Sequence, residues 1–227
     1  MTAAVVTGAS RGIGRAAALG LASRGLDVAL LARTADDLAR VAEAVARCGV
    51  AALPVRCDVT QEADVSAAAA RVHERFGAPE VIVNNAGLIR RAAVHEMSLD
   101  DFRLVVDTNL TGTFLVTRAF LPAMLKRGRG RLIQIASISS TLGSPRASAY
   151  CAAKWGVVGF TKSLSEELRG TGLCAMSILP GSVDTSMLKG SGFSAQMTPE
   201  DVAKTIVYAA LDAPSAMNGS SLEMFGP

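Results

Sequence analysis

No two cysteines of this chain stand near one another. Cys48, Cys57, Cys151 and Cys174 are its four, and none forms a C-x-x-C step with another. Only His73 and His95 are available beside them, so no metal-ligand set can be assembled by spacing and no metal site is expected. Scattered cysteines in a chain of this length read as small core residues in a reducing compartment. Long apolar runs are missing too. None approaches the ~18 residues that a membrane-spanning helix needs. The opening "MTAAVVTGAS" lacks the basic region and apolar stretch of a secretory signal. Charge of one sign is not concentrated: the 23 basic and 20 acidic residues leave a net charge of +3, spread along the chain. A nucleic-acid binder usually carries a basic stripe. These absences lead to the expectation of a soluble, cytoplasmic protein with neither nucleic-acid nor membrane partners.

What the chain does have is apolar material. Half of its 227 residues are hydrophobic and 19% are charged, enough for a sheet buried on both faces. Short apolar runs alternate with helix-like segments. Ala3–Thr7, Asp27–Ala32, Val50–Cys57, Glu80–Asn84, Arg131–Ala136 and Leu173–Leu179 read as strands, and "SSLEMF" as a final one. Pro54 marks the third as an edge candidate, because proline cannot donate to a ladder. Helices are expected from the glycine turn to Gly25, over Ala35–Arg47, Gln61–Phe76 and about Leu99–Lys126, and around Tyr150. A last one opens at Thr198-Pro199-Glu200, with an N-cap threonine and proline in the first turn. No linker or repeat interrupts the series. The pattern predicts an α/β fold, a single doubly wound domain over 1–227 whose parallel sheet has helices on both faces.

Gly8, Gly12 and Gly14 fall in "TGASRGIG", where the first strand turns into the first helix. A doubly wound sheet presents backbone N–H groups and a helix N-terminus to a pyrophosphate at that turn. Glycines serving only a tight turn would look the same, and no lysine follows to make a P-loop. The second strand bears on which nucleotide. NAD sites commonly end this strand with an acid for the ribose 2′-hydroxyl; here Ala32 is followed by Arg33. A guanidinium suits a 2′-phosphate instead. Arg11, next to Ser10 in the glycine turn, offers a second positive charge. NADP(H) is therefore expected in preference to NAD(H).

Tyr150 and Lys154, in "SAYCAAKWG", sit four residues apart and so on one face of a helix. Alone, the pair also fits an amphipathic helix with a solvated lysine. It is the company of the other motifs that matters. "TGASRGIG", "CDV" (Cys57–Val59), "NNAG" (Asn84–Gly87), "NLTG" (Asn109–Gly112), "YCAAK" (Tyr150–Lys154) and "PGSVDT" (Pro180–Thr185) occur in order, each at a strand end or on a helix. On these the chain resembles the short-chain dehydrogenase/reductase family in its single-domain form, over nearly its whole length.

The resemblance implies roles. Tyr150 would be the acid of carbonyl reduction, with Lys154 lowering its pKa and holding the nicotinamide ribose. Of the serines in "ASISST", Ser137 lies thirteen residues before the tyrosine, as the family's substrate-binding serine does; Ser139 and Ser140 would satisfy loop backbone. Asn109 would bend its helix and position a water in a proton relay. Asp58 and Val59 would meet the adenine, and Asn85, Ala86 and Gly87 the adenosine ribose, with Asn84 mainly structural. Ile13 would back the pyrophosphate turn, and Pro180, Gly181, Val183 and Thr185 would hold the nicotinamide.

The substrate region is less defined. A short Gly/Ser-containing lid, about 186–198, should leave the site open. That suits a substrate on a carrier arm or several small ketones. Arg90, Arg91 and Arg146 fall near the mouth, as substrate contacts or as solvated loop residues. The overall pattern is most similar to the 3-oxoacyl-(acyl-carrier-protein) reductases, and Lys126, Arg127, Arg129 and Arg131 would then attract an acidic carrier. A general ketone or aldehyde reductase, or an alcohol dehydrogenase, is the alternative. A regulator that binds NADP without turnover would not need the full Asn109, Ser137, Tyr150 and Lys154 set. The resemblance also implies a homodimer or homotetramer, and "FLVTRAFLPAML" carries apolar residues on more than one face.

Overall fold

A computed structural model describes residues 2–226. Ala3–Thr7 forms β1, buried along its whole length. Because strand side chains alternate, Ala4 and Val6 enter one apolar layer while Ala3 and Val5 enter the other. Asp27–Ala32 (β2) divides in the same way, Val28 and Leu30 against Ala29 and Leu31. A strand with two buried faces must be apolar throughout, which is why these segments show no alternation in the sequence.

Five more strands complete the sheet: Ala52–Arg56 (β3), Val81–Asn84 (β4), Gly130–Ile135 (β5), Leu173–Pro180 (β6) and Ser221–Met224 (β7). The order is β3-β2-β1-β4-β5-β6-β7, and every pairing is parallel. Pro54 lies in the edge strand β3, opposite Leu30, where a missing donor costs least. The first layer is covered by Gly12–Ser23 (α1), Ala35–Ala46 (α2) and Pro199–Val207 (α7). The second is covered by Glu62–Phe76 (α3), Gly112–Arg127 (α5) and Ser148–Glu167 (α6), with Phe120 and Met124 fully buried.

Helix ends follow local chemistry. Thr198 and Asp201 form a reciprocal capping box on α7, with Pro199 in the first turn. Expected boundaries move by a residue or two elsewhere: α1 stops at Ser23, and Gly25 takes up a left-handed conformation just beyond it. The expected long helix from Leu99 is not uniform. Leu99–Val106 (α4) runs into a π turn over Asp107–Thr111, which then continues as α5. The extra residue in that turn lies at Asn109.

All seven strands point their carboxyl ends to one edge of the sheet. Connections leave in opposite directions on either side of the β1–β4 pair, so a crevice opens there. That crevice is where the fold places its site.

Candidate active site

The turn from β1 into α1 is closed by contact between backbones. A Cβ on Gly14 would stand 2.3 Å from the Gly8 carbonyl oxygen, inside any allowed approach. Gly8 and Gly12 both have positive φ, 62° and 54°. Asn85, after β4, locks the turn: its side-chain Nδ2 donates to the carbonyls of Thr7 (2.9 Å) and Gly8 (3.3 Å). Thr7 Oγ1 in return accepts from the backbone N–H groups of Asn85 and Ala86, both at 3.0 Å. Asn84 is buried and donates to Thr117 and Gln134.

The half of the crevice expected to take a cofactor, about 750 Å³, extends from this turn to the end of β2. Ser10, Arg11, Ile13 and Arg33 line it. Asp37, the acid nearest Arg33 in sequence among those lining this half, is held by Arg40, and among the described residues neither Arg11 nor Arg33 has an ion-pair partner. Asp58 Oδ1 accepts from the backbone and hydroxyl of Thr60, and Val59 packs beneath Gly112. Both line the same half, with Ala86 and Gly87.

The other half, about 580 Å³, is enclosed by the loops after β5 and β6 and the start of α6. Ser137, Tyr150 and Lys154 are all buried there. Ser137 Oγ accepts from the Ser139 N–H at 3.1 Å. Ser140 turns away and donates to the Lys154 carbonyl at 2.9 Å. Lys154 Nζ donates to the Ile135 carbonyl at 2.7 Å and lies 5.6 Å from the centre of the Tyr150 ring. Pro180, Gly181, Val183 and Thr185 form the wall opposite. The π turn directs Asn109 Nδ2 to the carbonyls of Leu88 (2.7 Å) and Val105 (2.8 Å). Its Oδ1 is buried without a partner. A Cβ at Gly87 would come within 2.6 Å of that oxygen and 3.6 Å of Lys154 Nζ, so the glycine keeps the gap between them open.

Several expectations are corrected by this geometry. Lys154 does not pull the Tyr150 phenol down. Burial pushes the phenol up to about 12; the Ser137 hydroxyl opposes this, Cys151 adds to it, and Arg91 opposes it. Burial likewise pushes the Lys154 ammonium down to about 8. In a dry crevice the cost of desolvating charge is the largest cause for both groups. The Asn85 side chain is committed to the glycine turn. The basic residues Arg129 and Arg131 lie at the amino end of β5, whereas Ser137 follows its carboxyl end. Six strand residues, ~20 Å, separate them. Arg127 and Arg129 both pair with Glu80, and Arg131 donates to the Ala213 carbonyl. The lid segment has turns and no helix, yet Met187, Leu188 and Phe193 from it line the substrate half. Cys48 is exposed, although Cys57 and Cys174 are core residues.

One residue escaped the sequence reading. Thr7 was visible only as the first letter of a glycine motif. Of the arginines expected near the mouth, Arg91 and Arg146 line the substrate half and Arg90 does not. Among the described residues no cluster of His, Cys, Asp and Glu could hold a metal ion, and no helix is long and apolar enough to cross a membrane.

The family model "short chain dehydrogenase" matches residues 2–194. The chain belongs to the short-chain dehydrogenase family. A 3-oxoacyl-[acyl-carrier-protein] reductase of Synechocystis sp. is 39% identical over 94% of this chain and 90% of its own. The reductase of that name from Escherichia coli is 31% identical, over 98% and 95% respectively. In structure, a short-chain type dehydrogenase/reductase from Mycobacterium marinum superposes with a TM-score of 0.94 at 34% identity, covering 99% of this chain and 94% of that one. An alcohol dehydrogenase from Thermococcus sibiricus, solved with 5-hydroxy-NADP, gives 0.90 at 30%, covering 99% and 96%. As a short-chain dehydrogenase the protein is an NAD(P)(H)-dependent oxidoreductase acting on a carbonyl substrate.

The depressed Lys154 pKa carries a stability consequence. Between about 8 and its ordinary value of 10.5, the unfolded chain holds a proton on this lysine that the folded chain has released. Folding stability from this group therefore rises with pH through that window. Relative to Lys154→Met, the wild type should gain on the order of a few kcal/mol between pH 7.5 and 10.5 in urea unfolding. A constant difference would place the lysine in a wetter site.

Proposed function

We propose that this short-chain dehydrogenase uses NADP(H), in preference to NAD(H), to reduce a carbonyl to an alcohol. The observation that carries the reading is the convergence of Tyr150, Ser137 and Lys154, all buried, on one cavity beside the glycine turn.

The residues fit a dinucleotide. The turn closed by Gly8, Gly12 and Gly14 brings the α1 N-terminus to this cavity, where its N–H groups would meet a pyrophosphate, with Ile13 behind it. Ser10, Arg11 and Arg33 would hold the 2′-phosphate, the two arginines being free of carboxylates. Asp58 and Val59 would meet the adenine, and Asn85, Ala86 and Gly87 the ribose on that side. Pro180, Gly181, Val183 and Thr185 would flank the nicotinamide, which supplies hydride when bound.

The chain's own part is proton chemistry. A phenol pushed to about 12 is fully protonated at neutral pH, a state ready to donate to a carbonyl oxygen acquiring charge. The Ser137 hydroxyl donates a hydrogen bond to that same oxygen. Lys154 holds the ribose hydroxyls. The unpartnered Asn109 Oδ1, facing the gap toward Lys154, would hold the water through which the phenol regains its proton.

The names of the curated relatives support a 3-oxoacyl thioester carried on acyl carrier protein as substrate. A free small ketone is favoured by another observation: the basic residues expected to dock a carrier lie at the far end of β5. We also propose a homodimer or homotetramer. Leu99, Phe102, Phe114, Leu125 and Trp155 leave large apolar surface exposed on α4, α5 and α6.

Three outcomes test these readings. Tyr150→Phe keeps the ring and removes the transferable proton, so NADPH-dependent turnover should fall at least 100-fold with NADPH affinity within a factor of about three. Lys154→Ala should impair both. Retention of most of the rate by the phenylalanine variant would remove Tyr150 as the acid. NADPH should bind more tightly than NADH, and Arg33→Ala with Ala32→Asp should invert the order; equal binding by the unmodified protein would refute the 2′-phosphate site. Sedimentation at micromolar concentration should give a dimer or tetramer, and a monomeric mass would mean that the exposed faces serve another purpose.

A further inference from the structure

Three arginines surround the mouth of the site, and their surroundings separate them. Arg90 lines the cofactor half and donates to Asp101 at 3.3 Å. Arg146 also lines the substrate half, but it is exposed and lies 3.7 Å from Glu96. Arg91 lines the substrate half, is half-buried, and carries a buried Nη1 with no hydrogen-bond partner. No Asp or Glu lines that half. A guanidinium withdrawn from water without a carboxylate costs stability and gains nothing within the folded chain.

Its place is fixed by the backbone. The Ala92 N–H donates to the Arg146 carbonyl at 3.0 Å, tying the Arg91 loop to the loop that leads into α6 and Tyr150. Arg146 holds a left-handed φ of 60°, a conformation unfavourable for a side-chain-bearing residue, so the surrounding contacts must impose it. The rest of the cavity is largely apolar, with Ile89, Leu142, Met187 and Phe193 in its lining.

We propose that Arg91 is a substrate-specificity residue that binds a carboxylate, making the natural substrate a small oxo acid rather than a neutral ketone or a thioester. The planar fork matches a carboxylate with paired hydrogen bonds, and the apolar walls suit a short carbon chain between that group and the carbonyl. This rests on the carbonyl-reductase reading and selects within it. The positive charge of Arg91 also acts on Tyr150 in the direction that favours the phenolate.

Binding and turnover test it separately. Calorimetric titration of the NADP⁺-loaded protein with pentanoate and with methyl pentanoate should show the acid binding at least tenfold tighter. That advantage should vanish in Arg91→Gln and return in part in Arg91→Lys. With NADPH, 2-oxopentanoate or 4-oxopentanoate should exceed its methyl ester, pentan-2-one and a 3-oxobutanoyl thioester of N-acetylcysteamine by tenfold or more in kcat/KM. Arg91→Gln should cut the oxo-acid-to-ketone ratio at least 30-fold, mainly through KM. Equal binding of acid and ester by the wild type overturns the inference. So does preference for the thioester or the ketone, which would leave the reductase reading standing. Arg91-dependent binding of pentanoate by a protein that reduces none of these carbonyls would keep the anion site and discard the reductase reading instead.

Discussion

The crevice exists because two backbones touch. Gly14 and the Gly8 carbonyl leave no room for a side chain between strand and helix, and Asn85 reaches across from β4 to fasten both Thr7 and Gly8. Thr7 returns two hydrogen bonds to the start of the β4 loop. This reciprocal set joins the carboxyl ends of β1 and β4, the point at which the sheet reverses its winding. Every other part of the site is measured from it. The loop that follows Asn85 carries Gly87 and Arg91 forward, and Gly87 in turn faces Asn109 and Lys154.

Burial sets the chemistry within that frame. Tyr150 and Lys154 share a helix face, and the intuitive expectation is that the ammonium draws a proton from the phenol. Desolvation is the larger effect, pushing the phenol up and the ammonium down together. The result is a phenol that keeps its proton beside a lysine that still carries its charge at neutral pH, with Lys154 giving its hydrogen bond to Ile135. Such a pair is arranged to donate a proton when negative charge develops on a neighbouring oxygen, where fixed donors are worth most in a dry site. The π turn at Asn109 belongs to the same arrangement. It costs regular helix geometry and yields an amide that holds Leu88 in place while leaving one oxygen free toward the lysine.

Much of this was legible in the chain. Uniformly apolar runs separated by helix-length segments determined a parallel sheet covered on both faces, because only doubly buried strands lack alternation. Pro54 determined which strand could lie at an edge. The ordered motifs, from the glycine turn to the Tyr150–Lys154 pair, pointed to the family, since each follows from local geometry that adjacent residues control. What the tertiary structure decided was burial and partnership, which depend on elements distant in sequence. Asn85 is a lock as well as part of the cavity wall because Gly8 packs beside it. Arg129 and Arg131 lie a strand's length from the site because β5 runs away from them. Arg90 and Arg91 are the same residue type side by side in the sequence. Only the fold gives one of them Asp101 and leaves the other in the cavity without a counter-charge.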